Sequence, residues 1–145
     1  MSMIIQPTKK QMLGLLSATL VLTLVGVWIA PTAFARIAFN TIGPVAIVTG
    51  NGRHVIVTGP IECTEGERAE LRVTVTQRST GAMAEGRAVI TCTGNLQQWE
   101  VVVSTEGSET FEEGPATAVA LARTTARGEI TDAHQWLVNV TLLKE

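Results

Sequence analysis

Between residues 45 and 143, apolar and polar side chains alternate in short runs rich in Val, Ile and Thr. A two-residue period places successive side chains on opposite faces, which is the geometry of β-structure. In Leu71–Thr76 one face carries Leu71, Val73 and Val75, and the other Arg72, Thr74 and Thr76. That pattern predicts a half-buried antiparallel strand. Such runs recur at intervals of about ten residues, each bounded by turn formers. They are Val45–Thr49, Arg53–Thr58 continuing to Cys63, Ala69–Arg78, Arg87–Cys92, Gln98–Thr105, Pro115–Ala126 and Gln135–Leu143. Pro115–Ala126 is rich in alanine, which favours helix, but Thr117, Val119 and Leu121 alternate with Ala118, Ala120 and Ala122 and predict a strand. Gly50-Asn51-Gly52 suits a tight hairpin, because Gly and Asn adopt positive φ at little cost. Pro60 lacks an N–H for a ladder bond and predicts an edge or a bulge. Trp99 and Trp136 fall in phase with the inward valines of their runs and are expected in the core.

The start of the chain follows a different rule. Lys9 and Lys10 precede an apolar run from Met12 to Ala30, followed by Pro31 and by Ala33-Phe34-Ala35. A basic start, an apolar centre and small residues at the −3 and −1 positions make up a secretory signal peptide, with cleavage between Ala35 and Arg36. The apolar run is also long enough for an uncleaved membrane anchor. Residues 1–35 are therefore read as a hydrophobic signal helix and residues 36–145 as one domain. The expected location is outside the cell, either secreted or anchored with the domain outside. A membrane enters only if the segment stays uncut. The two cysteines, Cys63 and Cys92, lie in the exported part, where an oxidising compartment and an even count predict a disulfide.

Seven short strands without helices resemble the immunoglobulin-like and fibronectin-III-like sandwiches. The expected fold is thus all-β, a seven-stranded antiparallel immunoglobulin-like sandwich after the signal helix. The chain departs from antibody domains in its cysteine placement, in Trp99 on the fifth run, and in having no tyrosine. The run Cys92-Thr93-Gly94-Asn95-Leu96-Gln97-Gln98-Trp99 resembles one in small uncharacterised secreted bacterial domains, a resemblance that implies no activity.

The residues offer little catalytic chemistry. The only histidines are His54 and His134, and two histidines beside bridged cysteines do not build a zinc site. Asp132 is the only aspartate, and no G-x-S-x-G elbow accompanies it. Gly50-Asn51-Gly52 lacks the third glycine of a dinucleotide fingerprint. Glutamates gather around Cys63 (Glu62, Glu65, Glu67, Glu70) and in the loop Thr105–Pro115 (Glu106, Glu109, Glu112, Glu113). Calcium loops favour Asp at fixed spacing, and a glycosidase pair needs a cleft lined for sugar. Both groups are read as solvated. No catalytic residue, metal or cofactor is therefore expected. No Lys/Arg cluster marks a nucleic-acid footprint in the exported part, and the net charge is −2.

What remains is a non-catalytic extracellular binding or structural module, meeting a protein or glycan. The alternative is a small secreted enzyme inhibitor or hydrolase acting through residues 105–115. That loop is the candidate binding site, with Glu109, Phe111, Glu112 and Glu113 as its contacts and Phe111 as an exposed aromatic.

Overall fold

The computed structural model describes residues 36–145; residues 1–35, expected from the sequence to be a signal peptide, lie outside the described residues. Eight strands follow one another: β1 (Ile37–Asn40), β2 (Val45–Thr49), β3 (His54–Cys63), β4 (Arg68–Gln77), β5 (Ala82–Thr91), β6 (Gln97–Thr105), β7 (Gly114–Ala126) and β8 (Glu129–Lys144). Three of these correct the strands read from the sequence: β1, too short to show a period, is absent from that reading, and β5 and β8 begin earlier than read, at Ala82 and Glu129.

The fold is all-β, but it is not an antiparallel immunoglobulin-like sandwich. The strands run β3-β2-β8-β7-β4-β5-β6, and β6 pairs back onto β3, closing a seven-stranded barrel with β1 added beside β3. The barrel is mixed, because β2 and β8 pair in parallel, Val45 opposite Thr141 through Val48 opposite Lys144. Closure follows from the continuous β3–β6 ladder, His54 opposite Ser104 through Ile61 opposite Gln97. A sandwich leaves strand edges open; a closed barrel satisfies them.

β2 and β3 join through Gly50–Gly52, with positive φ at Gly50, Asn51 and Gly52. β3 is an interior strand, with β6 on one side and β1 followed by β2 on the other. Pro60 sits at the break between β1 and β2. Its carbonyl accepts from the Thr41 amide, and its missing N–H falls where the ladder is already interrupted. Gly59 beside it is a close-approach site: a Cβ there would collide with the Thr41 carbonyl and the Trp99 indole.

The interior is one continuous apolar core. β3 contributes Val55, Val57 and Ile61, β4 contributes Leu71, Val73 and Val75, and β6 contributes Trp99, Val101 and Val103. β7 turns its alanines inward: Ala116, Ala118, Ala120 and Ala122 are buried, while Val119 and Leu121 lie on the outer wall. Trp99 and Phe111 are the largest fully buried side chains of the interior.

The two ends of the barrel differ. At one end β2–β8 and β5–β6 are paired, the latter only at Ala84 with Thr105 and Glu85 with Ser104. Toward the other end both ladders lapse, and Cys63 and Cys92 are bridged there. The bridge joins the end of β3 to the residue after β5. Around it the Gly66 amide donates to the Cys92 carbonyl and the Cys92 amide to the Glu67 carbonyl, at 3.0 and 2.8 Å. The staple lies where hydrogen-bonded closure is weakest.

Candidate functional site

The loop 106–113 spans the paired end of the barrel between β6 and β7. Its sequence reads as a solvated acidic loop, and four attachments hold it. Phe111 is 1% exposed and belongs to the core, which corrects the expectation of an exposed aromatic contact. The Phe111 amide donates to the Gly52 carbonyl at 2.8 Å. The buried Gln77 amide clamps Glu112, donating from Nε2 to its carbonyl and accepting from its N–H, both at 2.9 Å. Arg53 donates to the Gly107 carbonyl at 3.1 Å. A clamp of this kind satisfies both backbone groups of one residue, as a paired strand would.

The other expected contacts of the loop divide. Glu109 is exposed, with Ser108 Oγ donating to its Oε1 at 3.1 Å. Glu112 keeps its side chain in solvent while its backbone is held. Glu113 accepts from the Lys144 amide at 3.1 Å, which ties the loop to the end of β8.

Beside the loop, the outer faces of β4, β5 and β6 form a groove of about 520 Å³, lined by Arg72, Thr74, Met83, Ser104, Glu106 and Glu109 among others. Met83 is 63% exposed and supplies its apolar floor. Arg72 pairs with Glu85 across the groove at 2.7 Å. Among the described residues neither Glu106 nor Glu109 has a cationic partner within salt-bridge distance. The groove thus combines an apolar floor with a negative rim. Sequence reasoning found Glu109 but missed Arg72, Met83 and Ser104, because they lie on three different strands.

Ser104 lies directly opposite His54, and its Oγ is 2.8 Å from His54 Nδ1. A serine and an imidazole in hydrogen-bond contact form two parts of a nucleophile system. Among the described residues no carboxylate bonds the other ring nitrogen, so nothing orients the imidazole as a triad requires. The pair is a cross-strand polar contact on an open face.

The second polar centre lies at the disulfide end. Glu67, expected to face solvent, is buried; its Oε1 accepts from Arg36 at 2.8 Å and its Oε2 from Thr131 Oγ1 at 2.7 Å. Thr131 also bonds the buried Thr124 at 3.0 Å. Asp132 accepts from the Ile37 amide at 3.1 Å and the Ala133 amide at 2.8 Å, with His134 Nε2 3.7 Å away. Partial burial pushes the Asp132 carboxyl up. The amides of Ile37 and Ala133, the charge of His134 and the Arg36 amide together outweigh it and hold the group below its ordinary range. No sequence motif marks Glu67 or Asp132; the bulge between Thr124 and Thr125 on β7 and its β8 partners brings Thr131 and Asp132 to this position.

Among the described residues no three His, Cys, Asp or Glu side chains converge on a metal position. No protein-family model matches the chain, and no curated protein is significantly similar to it.

Proposed function

We propose that this chain is an exported, non-catalytic binding module that presents a rigid acidic loop and the adjoining groove to a basic extracellular partner. The observation that carries this reading is the loop itself. Its aromatic residue is buried and its backbone clamped, so Glu106, Glu109 and Glu112 are held outward in fixed positions. A pre-organised surface loses little conformational entropy on binding. The exposed Met83 beside unpaired carboxylates suits a lysine or arginine side chain, with its methylene stem on the thioether and its charge on Glu106 or Glu109. The disulfide supports export, since such bonds persist in oxidising compartments.

The test is a pull-down from the native extracellular milieu with the wild type and a Glu106→Lys, Glu109→Lys double variant. The wild type should retain basic proteins that elute as salt rises, because exposed charge pairs are screened. The charge-reversed variant should lose them while keeping its stability. Identical partners at identical yield would remove the loop from consideration. A hydrolase reading rests on Ser104 and His54 alone; turnover of an ester abolished by Ser104→Ala would replace the binding reading.

A further inference from the structure

We propose that Asp132 is the receptor for the processed N-terminus of this protein: hydrolysis between Ala35 and Arg36 leaves the α-ammonium of Arg36 against the Asp132 carboxylate. The inference rests on the export reading above and adds a binding site for the product of processing.

Arg36, the residue that cleavage would expose, is held by both its side chain and its backbone. The Arg36 guanidinium meets the buried Glu67 at 2.8 Å, and the Arg36 carbonyl accepts from the Thr64 amide at 3.0 Å. Ile37 is buried and its amide donates to Asp132 Oδ2. The small-residue pair Ala33 and Ala35 stands immediately before. The processing signal is thus contiguous in sequence with residues held by Glu67, Thr64 and Asp132.

Asp132 occupies a seam. β1 and β8 share no ladder, and the Asp132 side chain of β8 reaches the β1 backbone at Ile37. It is the only aspartate in the chain. Oδ2 accepts from the Ile37 amide and Oδ1 from the Ala133 amide, and the two lone pairs of each oxygen leave capacity for a further donor. In the unprocessed chain the nitrogen of Arg36 is a neutral amide. Hydrolysis breaks the Ala35–Arg36 C–N bond; water supplies hydroxyl to the Ala35 carboxyl and a proton to the amine, and solvent supplies the second proton of the ammonium. A leader peptidase is the co-reactant. A charge-assisted bond across the seam then replaces a neutral contact. The charged groups neighbouring this position are Asp132 on β8, with His134 3.7 Å from it, and Glu67 ahead of β4, paired with the Arg36 guanidinium.

The sign of the pH dependence follows. An ammonium beside a carboxylate has its folded-state pKa raised above the usual α-amino value of about 7.7–8.0. Its contribution is complete below that value and is lost as pH rises through the raised one. The test uses the full chain exported from a secreting host with its own first thirty-five residues. Mass spectrometry should find Arg36 at the N-terminus. NMR titration should place its amine about one unit above the ordinary value, which is a tenfold change in the unfolding equilibrium. Asp132→Asn should return the amine to its ordinary value. An alanine inserted after Ala35 should do the same while retaining the Arg36–Glu67 pair, so the test survives an unstable Asp132→Asn. Recovery of uncut chain in membranes would overturn both this inference and the export reading. Cleavage at Arg36 with an ordinary, Asp132-independent amine would overturn the docking alone.

Discussion

Phe111→Ala is expected to act on stability and not primarily on binding. The ring is fully covered, and replacing a buried Phe by Ala typically costs about 3–5 kcal/mol. Where a site falls in that range depends on whether its surroundings can collapse. Here they are held: the residue's own amide is bonded to the Gly52 carbonyl, and the next residue is clamped on both sides by Gln77. The loop cannot sink into the void without breaking those bonds, which places the loss at about 4 kcal/mol. A small domain has a urea slope of about 1–1.5 kcal/mol per M, so the midpoint should fall by roughly 3 M. Urea denaturation followed by tryptophan fluorescence measures it, since Trp99 lies in the same core. Glu109→Lys, on the solvent side of the loop, should stay within about 0.5 kcal/mol of wild type. A loss under about 1 kcal/mol for Phe111→Ala would refute the reasoning, because a ring that fills the barrel end cannot be removed so cheaply.

Replacing Cys63 and Cys92 together by Ala should lower stability by about 3–4 kcal/mol, the chain-entropy estimate for a sequence separation of 29, measured by the same denaturation without reductant. Gly59→Ala should destabilise by at least about 2 kcal/mol, since its methyl group would overlap the Thr41 carbonyl and the Trp99 ring; a wild-type melting temperature would contradict that packing. The Asp132 carboxyl is held below its ordinary value in the folded state. Its contribution is therefore present above the unfolded value of about 3.9 and is lost as pH falls through the lower folded one. Asp132→Asn should flatten that part of the acid denaturation profile.

Local alternation identified β-structure, the inward phase of Leu71, Val73, Val75, Trp99, Val101 and Val103, and the turn at Gly50–Gly52. All of these depend on neighbours within a few residues. It could not reveal closure. The pairing of β2 with β8 is parallel and joins the first long strand to the last, and antiparallel neighbours are the only partners that a short turn implies. Nor could alternation choose the inner face of β7, where alanine and larger residues alternate; in the closed barrel Ala116, Ala118, Ala120 and Ala122 are the buried set. For the candidate site, composition marked the acidic loop and Glu109, but the bonds that hold its backbone come from Gly52 and Gln77, distant in sequence. Glu67 reads in the sequence as a solvated acid, and Asp132 only as the single aspartate without a triad. Their partners, Arg36, Thr131 and the Ile37 amide, lie 31, 64 and 95 residues away, and only folding the barrel brings a charge and its counterpart over such separations into contact.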